Sequence, residues 1–327
     1  MKNLRDFKVG SFNAYNLALP DQPYYDRKYS RAQYERKRNW IGDQLDQMRA
    51  DIVGFQEIFH QEALEEAVRA SDYMRPAKII MGKRNGHSPA VALATRFEVL
   101  SHEVIVDFPE PLQIDDVHIP ITQFSRPVLH ALVKVKEGVE ISVFVVHLKS
   151  KRPMIPEGVK DPHHPLERAK GQARSLIRRA AEASALRSLL MKYLFNRDHP
   201  VILLGDVNDG GTAVTTQIIS GEPPHRNFPR EVKEKIWDVL LYHARDIQAR
   251  QSYEDFYYSH IHNGHYESLD HIMVSQELVA QNPNHIGSIG YVSVLTDHLI
   301  DETLSDERIG YWQSDHGQVV ASIELRN

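Results

Sequence analysis

Short stretches scattered along the sequence each place a polar residue that could bind a metal or move a proton at one end of an apolar run. VGSFNAYNL ends its run at Asn13, and DIVGFQEIF ends at Glu57. ISVFVVHLKSKR delivers His147, VILLGDVND delivers Asp206 and Asn208, and SLDHIMVS carries Asp270 at its head. SDHGQVVA adds Asp315 and His316 just ahead of a last apolar run. Strand ends on a rigid scaffold are where catalytic groups can be presented. One such residue would mean only that a strand must stop somewhere. Strand termination does not account for all of them on one chain.

The residue types fit one reaction. Mg²⁺ takes hard oxygen ligands, usually one or two carboxylates with waters and substrate phosphate. Glu57, Asp315 and Asn13 offer such oxygens, and Mn²⁺ is expected to substitute for Mg²⁺. Hydrolysis of a phosphate ester also needs an oriented water and compensation of charge on the phosphoryl oxygens. Asp206, Asn208, His147 and His316 can supply both. A histidine that cycles a proton is commonly oriented by a carboxylate, and Asp270 is the candidate orienter. Asp206 and His316 compete for the role of general base.

The elements that must hold these groups are legible as apolar periodicity. Strands are expected at Val9–Tyr15, Ile52–Phe55, Ala90–Ala94, Val128–Val135, Ile141–His147, Val201–Gly205, Leu269–Val274 and Gln318–Ile323. Helical spacing covers Arg31–Met48, through Tyr34, Ile41, Leu45 and Met48. It also covers Glu167–Leu194, through Leu176, Ile177, Ala180, Ala183, Leu186, Leu190 and Leu194. The Gly- and Pro-rich patches at 152–165 and 221–229 read as surface loops, because strands of the same core lie on both sides of them. Strands joined by long helical crossovers predict one layered α/β (α+β) domain spanning residues 1–327.

Composition narrows the class. With 42% apolar and 25% charged residues, the chain has the make-up of a globular enzyme. It contains no cysteine, which excludes disulfides, thiolate metal sites and cysteine nucleophiles. No run approaches the ~20 apolar residues of a membrane span. Met1–Leu17 lacks a basic-then-apolar signal pattern, so a cytoplasmic location is expected. The net charge of −5 is unevenly spread: from His147 to Ala180 nine Lys/Arg face three acids, so this segment is +6 and the remainder −11. Arg27–Arg38 interleaves basic residues with Tyr24, Tyr25, Tyr29, Tyr34 and Trp40. Basic residues mixed with aromatics suit a phosphate backbone with stackable bases.

The motif order N … QE … H … GDxN … D … SDH, over residues 9–320, resembles the endonuclease/exonuclease/phosphatase superfamily. That resemblance implies a four-layered αββα sandwich, with two mixed β-sheets packed face to face and helices outside. It also implies roles for individual residues. Asn13 and Glu57 resemble the main metal site, with Asp315 as a further carboxylate on the metal side. Asp206 resembles the residue that aligns or deprotonates water, and Asn208 a phosphate contact. His316 with Asp270 resembles the acid–base or phosphate-stabilising pair, and His147 the second histidine of the deoxyribonuclease-like branch. Arg126, in FSRPVLHA, resembles the phosphate-contacting arginine. HLKSK, from His147 to Lys151, together with Asp209 after GDVN, is similar to bacterial nucleases of the superfamily. Lys149, Lys151 and Arg152 are therefore candidates to reach substrate phosphate, Lys149 foremost.

Expectations about substrate follow. Nucleic acid is the favoured partner, DNA and RNA alike. A small phosphorylated molecule or lipid headgroup is the alternative, and no exposed apolar stretch suggests membrane insertion. No obligate protein partner is implied. The cluster His260, His262, His265 and His271 has no zinc spacing and reads as a polar loop beside the site. Substrate is read by loops, here 21–30, 152–165 and 210–230.

Overall fold

The computed structural model describes residues 6–83, 86–109, 113–114, 117–118, 120–249, 257–262 and 264–326. Twelve strands form its two large sheets. They are β1 (Asp6–Leu17), β2 (Ile52–Ile58), β3 (Lys78–Met81), β4 (Ala90–Thr95), β5 (Glu98–Asp107) and β6 (Gln123–Lys136), followed by β7 (Val139–His147), β8 (Val201–Asp206), β9 (Leu241–His243), β10 (Asp270–Ser275), β11 (Gly287–Leu295) and β12 (Gln318–Leu325). The first sheet has the order β11-β12-β1-β2-β4-β3 and the second β9-β10-β8-β7-β6-β5. Each is mixed, with one parallel pair at its centre: β1 beside β2, and β7 beside β8. A parallel pair needs a crossover. Helix α1 (Arg31–Met48) joins the first pair and α3 (Pro165–Leu194) lies in the connection of the second.

Three apolar layers show the sandwich. Val9, Ile52, Val143, Ile202, Leu204 and Val319 belong to the layer between the sheets. On the outer face of the first sheet, Phe12, Val53 and Phe55 meet Ile41 and Leu45 of α1 and Leu64 of α2 (Gln61–Ala70). On the outer face of the second, Phe144, Val146 and Leu203 meet Leu186 and Leu190 of α3 and Ile219 of α4 (Val214–Ser220). The expected αββα architecture is therefore present. No helix among the described residues is long and apolar enough to cross a membrane.

Local sequence explains the helix ends. Ser30 accepts from the Gln33 amide while the Gln33 side chain accepts from the Ser30 amide, a closed capping box ahead of α1. Helix α3 starts two residues earlier than periodicity predicts, because Pro165 is preorganised for a first turn and His164 caps the Leu166 amide.

Its N-terminal half also departs from expectation. Leu176 and Ile177 are half exposed, and the buried face runs through Gly171, Ser175, Arg179 and Glu182 before reaching Leu186 and Leu190. This half covers loops rather than sheet, so its inward groups are polar. Segment 210–230 is likewise more than loop, since it contains α4, whose Thr215 and Ile219 are buried. The strands that periodicity missed lie toward sheet edges. In β5 nearly every side chain is exposed or half-exposed, and β3 and β9 are very short.

Two glycines permit close approaches, one between the sheets and one between neighbouring strands of the second sheet. A Cβ on Gly54 of β2 would lie 3.0 Å from Leu204 Cβ and 3.1 Å from Val145 Cγ1, so this glycine lets the sheets touch at their centres. A Cβ on Gly205 would strike the Val146 main-chain oxygen at 2.1 Å, which explains why glycine precedes Asp206. Overpacking a core costs typically ~1–3 kcal/mol. Gly54→Val is expected to lose about that much in urea unfolding, with the midpoint lowered and the slope kept. A variant as stable as the parent would show that the central contact between the sheets is not tight.

Candidate active site

The chemistry-bearing residues converge because both central pairs end on the same side of the sandwich. In the second sheet, His147 at the end of β7 pairs in register with Asp206 at the end of β8, and Asp206 pairs with Asp270 at the start of β10. In the first sheet, Asn13 pairs with Gln56, one residue before Glu57. The ladders are irregular there, between Asn13 and Leu17 and between Phe55 and Ile58. Such irregularities re-aim side chains next to functional sites. Glu57 itself has φ of 63°, a left-handed conformation uncommon for a residue with a long side chain. Asn208, also left-handed at 58°, tolerates it better.

Asp206 occupies the centre and is nearly inaccessible to solvent. Its Oδ2 accepts from Asn13 Nδ2 at 3.3 Å, a bond that crosses from the second sheet to the first. The same oxygen lies 3.4 Å from His147 Nε2 and 3.9 Å from His316 Nε2. Its Oδ1 accepts from the Asn208 amide at 2.8 Å. Burial raises this carboxyl to about 7, with Asp270 and Glu57 adding to the effect and His316 opposing it.

Histidine 316 donates from Nδ1 to Asp270 Oδ2 at 2.7 Å. Ser259 donates to the same oxygen at 2.8 Å and accepts from the Leu269 and Asp270 amides, fixing the carboxylate. Burial works against charge on the His316 ring, but Asp270, Asp206 and Asp315 outweigh it and hold the pKa well above the ordinary histidine value. His147 behaves oppositely. Burial, then Arg126 and His316, push it well below that value, and its Nδ1 is buried without a partner. The two histidines that face Asp206 thus favour different protonation states.

Glu57 and Asp315 are two carboxylates on one side of this cluster. Burial and then Asp315 raise the Glu57 carboxyl, while His316, Arg126 and an Asn13 bond pull it back. Asp315 Oδ1 is buried without a hydrogen-bond partner. The two carboxylates, one with an unpartnered buried oxygen, form a hard-oxygen donor pair that fits Mg²⁺, with the Asn13 amide oxygen, which accepts from the Tyr15 amide at 3.0 Å, beside them. Behind them lies Lys37 of α1, fully buried, whose Nζ sits 3.5 Å from the carbonyl oxygens of Tyr311 and Gln313. Burial pushes its ammonium down to about 7 against the pull of Asp315 and Glu57.

The cations expected at phosphate divide into two groups. Arg126 is at the site: its guanidinium donates to Leu148 O at 3.1 Å, the same oxygen that accepts from Asn208 Nδ2. It is close enough to disfavour charge on His147. Lys149 stands beside it, but its ammonium turns back onto its own loop, donating to Ser150 O and Arg152 O. Lys151 is paired with Glu267 at 2.7 Å.

Residues that the motifs did not single out hold this rim together. Glu182 on α3 accepts from the Ser125 amide and hydroxyl through Oε1 and from the Lys149 amide through Oε2, clamping both cation-bearing segments. Asp209, already marked by the GDVND motif, accepts from Arg179 and Thr215 and ties the end of β8 to α3 and α4, while Arg179 also donates to Lys149 O of the HLKSK loop. Tyr25 is 61% exposed and packs edge-on against Phe59, where its hydroxyl feels Glu57, Arg126 and Arg152. Leaving a buried donor unsatisfied costs ~1–3 kcal/mol. Glu182→Gln has one acceptor oxygen for these donors, so its urea midpoint should fall by that equivalent. Unchanged stability would show that the carboxylate is not the clamp.

No curated protein sequence matches the chain, but many solved structures do. A humanised Danio rerio TDP2 carrying 14 mutations aligns with a TM-score of 0.59 at 16% identity, covering 98% of this chain and 99% of that one. A Bacteroides thetaiotaomicron mannosyl-6-phosphatase aligns at 0.58 and 17%, covering 98% and 100%. An endonuclease/exonuclease/phosphatase family protein of the same organism aligns at 0.59 and 15%, covering 98% of each chain. At these identities the structures speak for the fold. The family model described as Endonuclease/Exonuclease/phosphatase matches residues 10–316, and the chain belongs to that family of phosphoesterases.

Proposed function

We propose that the protein is a Mg²⁺-dependent phosphodiester hydrolase acting on nucleic acid, DNA or RNA. The observation that carries the substrate class is Tyr25, an exposed aromatic ring beside Arg126 and Arg152 at the edge of the carboxylate cluster. A phosphate held by Arg126 would leave a neighbouring base within reach of that ring. Stacking a base on an aromatic side chain contributes ~1–3 kcal/mol and tolerates any base.

Glu57, Asp315 and Asn13 would hold the metal. When bound, Mg²⁺ neutralises charge on the phosphoryl oxygens. Asp206 serves as the general base, since a carboxyl raised to about 7 can take a proton from water near neutral pH. Asn13 and the Asn208 amide fix its two oxygens for that transfer. His316 remains cationic and turns Nε2 toward the phosphate, its ring locked by Asp270. Neutral His147 orients the Asp206 carboxylate, and Arg126 and Asn208 contact phosphate oxygens.

A small phosphorylated molecule is the second reading. Much of the +6 segment is engaged internally: Lys151 with Glu267, Lys170 with Glu167 and Arg178 with Ser125 and Glu182. One structural neighbour is named a mannosyl-6-phosphatase. A single panel separates the readings, with Mg²⁺ or Mn²⁺ against plasmid, linear duplex, single strand, RNA, bis-p-nitrophenyl phosphate and p-nitrophenyl phosphate. Turnover of nucleic acid that EDTA abolishes is expected. Preference for the monoester over every nucleic acid would contradict the proposal.

His316→Ala is expected to lower kcat by at least ~10²-fold, within the usual range for proton-handling groups. Asp270→Asn should lose less. The double variant should lose little more than His316→Ala, because the two act as one unit. His163→Ala should be silent. A His316→Ala protein keeping more than a tenth of parental kcat refutes the assignment.

A further inference from the structure

Outside the roles assigned above, one side chain stands against the site with the chemistry of a metal ligand. His260 belongs to a small hairpin, paired as His260–His262 with His265–Glu267. The hairpin is fastened to the segment that carries Asp315 and His316. His260 forms a main-chain bridge with His316, and the Gly317 amide donates to Ser259 O at 2.7 Å. The His260 and His316 rings lie 4.6 Å apart and are tilted by 33°.

Hydrogen bonds fix the tautomer. His260 Nδ1 faces the main-chain oxygen of Asp315 at 2.8 Å, and a carbonyl only accepts, so Nδ1 carries the proton and Nε2 keeps its lone pair. His316 likewise donates a hydrogen bond from Nδ1 to Asp270, and its Nε2 accepts an ion only by releasing the proton of its cationic form. Metal-binding histidines show this same arrangement, one ring nitrogen donating to a carbonyl or carboxylate and the other free for the ion. His260, Asp315 and His316 each offer one ligand atom, and these atoms lie within 4.8 Å of one another. The Asp315 oxygen Oδ1 is buried and has no protein partner.

We propose that His260, Asp315 and His316 form a site for a transition-metal ion of the Zn²⁺ or Co²⁺ class, and that occupancy of this site inhibits the enzyme. Two imidazoles and one carboxylate select such ions over Mg²⁺, which takes oxygen. The site itself rests on geometry. Inhibition rests on the role proposed above for His316, since an ion held on Nε2 takes the ring face that would meet phosphate. Asp315 would be drawn from the Mg²⁺ side at the same time.

Two readouts test this with the intact protein at saturating Mg²⁺. Calorimetric titration with Zn²⁺, and the visible absorption of added Co²⁺, report binding without turnover. Hydrolysis against rising Zn²⁺ reports inhibition. The parent should bind one Zn²⁺ under these conditions, and His260→Phe should weaken that affinity at least tenfold and shift the inhibitory concentration equally. His260→Gln, which keeps a polar side chain in the hairpin, should give the same tenfold loss if the phenylalanine disturbs folding. Because Asp315 is shared, higher Mg²⁺ should weaken Zn²⁺ binding, and equal Zn²⁺ affinity in the parent and both variants overturns the site. Zn²⁺ that binds through His260 without slowing hydrolysis overturns the inhibitory role and counts against His316, while leaving the metal dependence of hydrolysis untouched.

Discussion

The buried bond between Asn13 and Asp206 is where the two halves of the molecule meet chemically. One partner lies in β1 of the first sheet, where its pairing with β2 breaks, and the other ends β8 of the second. A carboxylate this deeply removed from water is costly unless hydrogen bonds and opposite charge compensate it. Here the compensation comes from both sheets: an amide from Asn13, the Asn208 main-chain N–H, and the edges of His147 and His316. Those groups can surround one oxygen pair only if the sheets are in close contact, and Gly54 permits that contact. The core spacing and the geometry of the site are therefore one constraint.

Charge balance follows the same plan. Glu57, Asp206, Asp270 and Asp315 crowd one end of the sandwich, and each raises or is raised by a neighbour. Part of this repulsion is offset by His316, whose cationic form the acids favour, while Lys37 sits behind them on the carbonyls of Tyr311 and Gln313 and burial holds its own charge back. A divalent cation held by Glu57 and Asp315, as proposed, would offset the remainder. Glu57 is held in a left-handed backbone conformation beside an irregularity in the strand ladder, as expected where a scaffold gives up local comfort for a site.

Most of the site was legible because its residues terminate strands buried on both faces. Such strands read as unbroken apolar runs, so a polar residue at the end stands out, as at His147 and Asp206. Glu182 and Lys37 were legible in a weaker sense. Each is a charged residue on an otherwise buried helical face, but periodicity counts apolar positions and passes over them. Leu176 and Ile177 misled for the converse reason: they have helical spacing yet face outward, because that half of α3 covers loops. Ser259 carries no local signal, and the histidine cluster expected as a polar loop is instead a hairpin bearing His260, His262 and His265 plus buried His271 of β10, so the partners of Ser259 and His260 are set by the hairpin and the sheet. Edge strand β5 exposes both faces and has no pattern to read. Tyr25 and Arg152 stood out in sequence only as parts of basic stretches, because their place beside Glu57 and Arg126 is set by the loops.

Burial holds Asp206 and Glu57 short of full ionisation, and a divalent cation bound beside them is expected to complete it. Titration calorimetry of Mg²⁺ or Mn²⁺ into the metal-free protein, near pH 6.5 in two buffers of different ionisation heat, measures that directly. Because burial and neighbouring acids raise Asp206 to about 7 and raise Glu57, the metal-free site retains protons that the unperturbed carboxyls would have lost. Binding of the cation should release them, on the order of one proton per metal ion at this pH and fewer as the pH rises above 8. Cation binding at pH 6.5 that releases no proton would contradict the account.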